Sequence, residues 1–533
     1  MVKTLIKNWL KNKYISLKDK DTVNNWNTTQ QKQYFSSLLQ IKNGFRAPME
    51  LGTNAFNKYT IKIIIIAFWK KLNSPIGEKV VICHDQRKWS KTISQEIGQT
   101  LQNLGMQVSF FANNSPVPVP FLSYLLKNND SYHHGIMITA SHNQKNINGI
   151  KLMNKNGFQW TQKQWKELAT LIEKHYWTFL SYEITAQKTN FSRINSLEKT
   201  KYLKKIKTNY PNNFLPKITV LFSSLHGTTY GWTNQLLQEA GYKVYSVAKQ
   251  CQKNANFPTL DDPNPENDKT FNLALRNKNL QQTDLIILND CDGDRIRVAC
   301  RHQEKFHKLS GNQIAVILLF FLLKEKKQTG YIYRSFVSSP LTDVIAKDFN
   351  CTVIKTDAGF HNLAEAYKNK SEKKFILAFE ESLGYLPSLQ INNDKDGIQT
   401  ALLITEIANF YQTKNKTLID CLQDIYEKYG YFISKTTRYS LQKLNWKDCQ
   451  EKFKQIKIIN GEKVIENKKT ESNKIYFLKL KNNSTIAMRC SQTEPIIKIY
   501  FNLFQEKNQN KTALIKMINE FNQQINIKSE KNC

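Results

Sequence analysis

Residues 135–151, GIMITASHNQKNINGIK, decide how this chain is read. An apolar run at 136–138 has the look of a buried strand, and it stops abruptly at Thr139-Ala140-Ser141-His142-Asn143. Asn148-Gly149 reads as a turn that carries the chain on to Lys151. A hydroxyl, an imidazole, an amide and an ammonium therefore leave one strand together. Taken alone, the segment reads as an ordinary Ser/Asn turn, so the rest of the chain has to supply the case for chemistry.

The same plan recurs on both sides of it. A strand at 79–84 breaks into Asp85-Gln86-Arg87 and is followed by a helix from about Ser90; a strand at 218–222 ends in Ser223-Ser224-Leu225-His226-Gly227; and a strand at 284–288 ends in NDCDGDR, residues 289–295. A helix at 313–323 and a strand at 330–337 open a further unit. Repeated strand, polar loop and helix predict α/β domains whose functional loops lie at the strands' carboxyl ends. The last hundred residues differ, with strands at 474–480, 485–488 and 496–501 before a helix that lines up Leu514, Met517, Ile518 and Phe521. The expected fold is α/β: three similar α/β domains with mixed sheets plus a C-terminal α+β domain, arranged around a central cleft. Its divisions fall at 1–209, 210–311, 312–428 and 429–533.

Composition bounds the function. The 533 residues carry 77 Lys+Arg against 44 Asp+Glu, a formal charge of +33, which favours anionic partners. The positive residues are mostly Lys scattered among Asn and Ile rather than a basic block, so nucleic acid is not expected and phosphorylated metabolites or a membrane surface remain as anionic partners. Nine cysteines without a C-x-x-C pair fit a reducing, cytoplasmic compartment. Residues 1–10 read as an amphipathic helix rather than a signal peptide. The apolar stretch 61–69, broken by Lys62, is far short of the ~20 residues of a membrane span. A soluble monomer or dimer is expected.

Three further clusters carry chemistry. Asp290, Asp292 and Asp294 alternate around Gly293 beside Arg295, as a metal site or a solvated acidic turn; three hard oxygen donors without Cys or His favour Mg²⁺ over zinc. Arg301 stands where an EF-hand would need Glu. Glu380 and Ser382, in AFEESLGY at 378–385, can grip vicinal sugar hydroxyls, or cap a helix N-terminus. Arg489, Ser491 and Thr493, in RCSQTEP at 489–495, can form a phosphate cradle, or a plain β-turn. Arg46, in a loop at 43–57, is a phosphate ligand or a solvated side chain. No GxGxxG, P-loop or H-E-x-x-H is present.

In this order, TASHN with Asn148-Gly149-Ile150-Lys151, D-x-DGDR, EESLGY and R-x-S-x-TEP resemble the four signature loops of the α-D-phosphohexomutases, the phosphoglucomutase and phosphomannomutase superfamily, over residues ~40 to ~505. Gly52-Thr53-Asn54, FPTLDDPNPE at 257–266 and Asp394-Lys395-Asp396-Gly397 resemble one branch of it. The resemblance implies that Ser141 is the phosphoserine and, with Asp290, Asp292 and Asp294, a ligand of Mg²⁺. It implies general acid/base work for Lys151, and phosphoryl-steadying roles for Arg46, His142 and Arg295. Sugar binding would fall to Gly359, Glu380 and Ser382, and the clamp on the second phosphate to Arg489, Ser491 and Thr493, with a hexose 1,6-bisphosphate as activator and intermediate. The last domain would close over the cleft and exclude water. The chain departs from the family pattern at Gln144 (usually Pro), Gln492 (usually Gly), Ala55 (usually Arg) and His361 (usually Lys). The expected activity interconverts hexose 1- and 6-phosphates of glucose or mannose; rivals are a phosphopentomutase, a nucleic-acid-binding protein and a non-catalytic sugar-phosphate sensor.

Overall fold

The computed structural model describes the chain except residues 187–189, 212–213, 369, 371–373, 442–443, 471–473, 492–495, 508–510 and 528–533. The chain divides into two compact units, Met1–Val298 with Leu389–Glu406, and Ala299–Ser388 with Ile407–Cys533.

In the first unit a six-stranded sheet runs in the order Phe45–Pro48, Ile147–Asn154, His134–Ile138, Lys79–His84, Gln107–Phe111, Ser192–Ile194. The last four strands of that order are mutually parallel, and Ile147–Asn154 is antiparallel to both of its neighbours, so the sheet is mixed. The helix Lys58–Lys71 covers it. Ile63, Ile64, Ile65 and Ile66 are all fully buried, so the middle of this helix is enclosed around its circumference, while Lys58 and Lys70 at its ends are exposed. Each of those isoleucines contributes about 1.5–3 kcal/mol of transfer free energy. The amphipathic helix expected at the start of the chain is present as Val2–Lys11. It buries Leu5 and Trp9, the Trp9 ring meeting Phe35 and Tyr59 edge-on at 5.7 Å each.

A second sheet places Thr219–Ser223 between Lys243–Ser246 and Leu285–Asn289, all parallel, with Ile296–His302 on the far side of Leu285–Asn289. The boundary between the units falls inside that last strand, and within the second unit Ala299–His302 pairs antiparallel with Lys305–Lys308.

The second unit contains the third sheet, Thr352–Thr356, Tyr331–Ser335, Phe375–Glu380 and Gly384–Leu386, parallel except for its last pair. It also contains a fourth, wholly antiparallel sheet in the order Tyr431–Ser440, Ile496–Gln505, Thr485–Cys490, Tyr476–Leu480, Glu462–Lys469, Ile458–Ile459. Helices Trp446–Gln455 and Lys511–Gln524 pack on this sheet through Phe453 and Phe521. The expected helix face of Leu514, Met517, Ile518 and Phe521 is buried there.

Three local expectations need correction. Asn148-Gly149 is not a turn but lies within Ile147–Asn154. The Asn148 amide donates to Lys88 O (3.0 Å) and Ser90 Oγ (2.9 Å), and a Cβ on Gly149 would sit 2.5 Å from Phe45 O, so the glycine serves close strand approach. Arg46 is not in a loop; it lies on Phe45–Pro48 opposite Gly149. The segment 378–385 caps no helix, since Phe375–Glu380 turns directly into Gly384–Leu386.

Candidate active site

Two strand ends of the first unit meet at Ser141. Beyond Ile138 the chain turns sharply, and Ser141 takes the left-handed conformation (φ 55°) with its N–H on Thr139 Oγ1 at 2.8 Å. An L-residue held there stores about 1–3 kcal/mol of strain. The side chain is buried; its Oγ lies 3.2 Å from Asp290 Oδ2 and 3.3 Å from His142 Nδ1.

The acidic loop follows Leu285–Asn289, all five residues of which are buried. Gly293 (φ 76°) makes its tight turn against Pro118 and Thr229, and Asp292 O accepts from Val119 N at 2.8 Å. Asp290, Asp292 and Asp294 are fully buried, with one oxygen of each within 4.8 Å of the others. Burying three carboxylates side by side is unfavourable unless cations answer them. Lys151 Nζ donates to Asp292 Oδ2 (2.8 Å) and Asp294 Oδ2 (3.0 Å), and Lys395 Nζ lies 3.6 Å from Asp294 Oδ1. Thr139 Oγ1 donates to Asp292 at 3.2 Å, and the Arg295 N–H to Asp290 Oδ1 at 3.0 Å. Asp292 Oδ1 and Asp294 Oδ1, buried among these donors, accept no hydrogen bond among the described residues. Two bare carboxylate oxygens in an all-oxygen set beside Ser141 fit a hard divalent cation.

The charges fall into a pattern. Burial, then the neighbouring Asp292 and Asp294, raise Asp290 well above the usual carboxylate range. Burial pushes Asp294 the same way, but Lys151, Lys395 and Arg295 outweigh it and hold its carboxyl down. Burial opposes the Lys151 charge, yet Asp292 and Asp294 raise it, so Lys151 is an ammonium. Burial, reinforced by Arg295, Arg46, Lys395 and Arg87, holds His142 well below its ordinary value and neutral. Asp394, which accepts from Gln159 Nε2 at 2.5 Å, is pushed up to about 6 by burial and then by Asp294. Arg46 Nη1 donates to Asn143 Oδ1 at 3.1 Å, and Arg295 Nη1 lies 3.5 Å from Glu266 Oε1. Ser141, His142, Lys151, Arg46, Arg295 and the three aspartates are thus assembled in one place.

In the second unit Glu380 ends its strand opposite Gly384, and Leu383 (φ 71°) turns the chain, with Ser382 in that turn. Glu381 Oε2 accepts from Ser335 Oγ (3.0 Å) and Ser338 Oγ (3.4 Å). Gly311 packs so closely under this turn that a Cβ would meet Glu381 O at 2.0 Å. Arg489 Nε and Nη2 donate to Tyr500 OH at 3.2 and 2.9 Å. Burial opposes the Arg489 charge, but Tyr500, Glu381 and Glu380 raise it, so the expected sugar loop and Arg489 share one electrostatic neighbourhood. Ser491 N donates to Ile496 O at 2.8 Å. Gly359 (φ 114°) precedes the helix Phe360–Tyr367. Thr493, with Gln492, lies outside the described residues.

Sequence reasoning missed three participants. Lys395, Thr139 and Arg87 were quoted only inside longer motifs, and what they touch is set by contacts between segments far apart in the chain. The signal for Arg87 was its place two residues beyond a strand end, after Asp85.

The models of the Phosphoglucomutase/phosphomannomutase family match in register with this layout: alpha/beta/alpha domain I over residues 39–178, domain II over 200–303 and domain III over 310–429. A phosphoglucomutase of Staphylococcus saprophyticus is 30% identical over 93% of this chain and 96% of its own. A phosphomannomutase of Mycoplasmoides pirum is 29% identical over 98% of each chain. Among solved structures, a phosphoglucomutase/phosphomannomutase family protein from Burkholderia thailandensis shares the fold with TM-score 0.73 at 15% identity, covering 91% of this chain and 96% of that one. Parafusin from Paramecium, in its open form, does so with TM-score 0.71 at 18% identity, covering 93% and 95%. An ordered set of signature loops, three consecutive domain matches and a near full-length relative agree: the chain belongs to the phosphoglucomutase/phosphomannomutase family, the α-D-phosphohexomutases, and is an intramolecular phosphotransferase.

Proposed function

We propose that the protein interconverts hexose 1-phosphate and hexose 6-phosphate, of glucose or mannose, through a phosphorylated Ser141 and a hexose 1,6-bisphosphate. The observation that carries this reading is the Ser141 hydroxyl 3.2 Å from one of three buried aspartates, two of which keep bare oxygens. Four functional divisions, 1–209, 210–311, 312–428 and 429–533, would each carry one signature loop.

Phosphoryl transfer is mostly positioning and charge stabilisation. In the first half-reaction the bond between Ser141 Oγ and phosphorus breaks as phosphorus bonds the oxygen of the substrate's free hydroxyl. That hydroxyl loses its proton and Ser141 Oγ gains one. The second half-reaction is the reverse, at the other end of a reoriented bisphosphate. Lys151, held as an ammonium by Asp292 and Asp294, is assigned the proton exchange. Arg46, Arg295 and the neutral His142 are assigned to steadying the phosphoryl oxygens. Asp290, Asp292 and Asp294, with an oxygen on Ser141, would hold Mg²⁺, which would neutralise charge spreading over the transferring group. Glu380, Ser382 and Gly359 are assigned to the sugar, and Arg489, Ser491 and Thr493 to the non-reacting phosphate.

The test supplies glucose 1-phosphate, Mg²⁺ and a trace of glucose 1,6-bisphosphate, with mannose 1-phosphate and ribose 1-phosphate in parallel. Glucose or mannose 6-phosphate should form, and Ser141→Ala should abolish it. Faster turnover of ribose 1-phosphate would move the assignment to a phosphopentomutase, and no turnover of any of the three would overturn it.

A further inference from the structure

The Ser141 loop does not hold itself in its strained shape; Arg87 is built under it. The Arg87 side chain is completely buried, and its guanidinium spends every one of its five N–H donors. Nη2 donates to Ser141 O and Asn143 O, both at 2.6 Å. Nη1 donates to Gln144 O (2.7 Å) and Ile147 O (3.0 Å), and Nε to Asp85 Oδ2 (3.1 Å). Asp85 in turn accepts from Arg87 N (2.9 Å) and Ser90 Oγ (2.8 Å), and the Phe257 ring covers the guanidinium at 5.2 Å. Four carbonyls of one seven-residue loop are thus tied to a single planar group anchored on a neighbouring strand end. Lysine, with three donors and no plane, cannot reproduce that pattern.

Because every donor goes to main-chain oxygen or to Asp85, the guanidinium has none left for a phosphoryl group. We propose that Arg87 is a positioning residue for phosphoryl transfer: it holds the Ser141 loop in its left-handed geometry and so sets the aim of the Ser141 oxygen. The proposal rests on Ser141 being the phosphoryl carrier. It predicts a defect in the transfer step rather than in substrate binding, and one that stiffening the loop by other means can repair. Gln144 is exposed, and its N–H makes no hydrogen bond among the described residues, so proline there removes chain freedom without removing a bond.

The experiment labels Ser141 with ³²P-glucose 1,6-bisphosphate in the wild type, Arg87→Lys and Arg87→Lys/Gln144→Pro, then follows discharge of the label to glucose 1-phosphate in a single turnover. Arg87→Lys should accept label yet discharge it about 10²-fold more slowly, the cost of roughly 1 Å of misplacement. Its steady-state KM should stay within about twofold of wild type, the signature of an interaction that acts on the transition state alone. Gln144→Pro should recover part of the lost rate. Discharge at the wild-type rate, or a loss no larger than the loss of folded protein by circular dichroism, would overturn the proposal. A folded, slow Arg87→Lys that Gln144→Pro does not improve would assign the defect to something other than loop geometry and overturn it as well. If Arg87→Lys does not fold, Asp85→Asn, which leaves the guanidinium but loosens its anchor, should show a smaller discharge defect at unchanged KM; wild-type discharge in that variant overturns the proposal. Absence of label on wild-type Ser141 is the separate failure of the carrier reading, and the Arg87 assignment falls with it.

Discussion

Asp290 differs from its two partners. Lys151 bonds Asp292 and Asp294, whereas Asp290 takes its hydrogen bonds among the described residues from a backbone N–H and the Ser141 hydroxyl, and burial with two neighbouring carboxylates raises it against the pull of Arg295 and Lys395. Without a cation it is therefore a destabilising charge. Asp290→Asn should make the metal-free protein more stable by about 1 kcal/mol, as when buried ions are replaced by neutral groups, while abolishing the Mg²⁺-dependent rise in melting temperature expected of wild type. Calorimetry with and without Mg²⁺ checks both, and a metal-free variant less stable than wild type would contradict it. Glu381 offers a pH test. Burial, then Glu380, raise its carboxyl above the ordinary value of 4.5. The folded protein thus holds this proton more tightly than the unfolded chain, so the associated stability is complete below the unfolded value and is lost as pH rises through the folded one. Glu381→Gln should flatten the fall in stability on the alkaline side of pH 4.5, measured by urea denaturation from acid to neutral pH; an unchanged slope would exclude Glu381 as its source.

Among the elements, burial rather than hydrophobicity sets the energetic ranking. Ile64 is fully buried in Lys58–Lys71, whereas Ile458 is 55% exposed at the edge of the fourth sheet. Ile64→Ala should cost about 2–5 kcal/mol and Ile458→Ala less than about 0.5 kcal/mol, with equal losses in denaturation midpoints counting against this packing. The same contrast explains what the sequence made legible. Strands such as Leu285–Asn289, apolar up to the final Asn, are covered on both faces by neighbours, and they stand out at once. Glu462–Lys469 is mostly charged and half exposed, and leaves no such trace. Asn148-Gly149 misled because the dipeptide's preference for turns yielded to a strand contact too close for any side chain. The acidic triplet was readable because its ligands are three alternating residues. Lys395 beside Asp294, and Arg87 beneath Ser141, are separated from their partners by long stretches of chain, and no local pattern encodes such distances.

For the whole molecule, a formal charge of +33 acts on every anionic substrate that approaches. Raising salt from about 20 to 200 mM shortens the screening length to below ~10 Å, so kcat/KM for glucose 1-phosphate should fall several-fold while kcat holds. Salt-independent kcat/KM would place the attraction entirely in local contacts. The first unit also has a consequence in time. Its acidic loop is backed by residues made much later: Gly397 N donates to Gly293 O at 3.1 Å, and Asn289 Nδ2 donates to Gly397 O at 3.3 Å. Since Leu389–Glu406 rejoins Met1–Val298 only after the ninety residues between them have been made, a growing chain holds its three aspartates without the Gly397 backing and the Lys395 charge until then. Synthesis order therefore delays the full backing of the acidic loop until the first ninety residues of the second unit have been made.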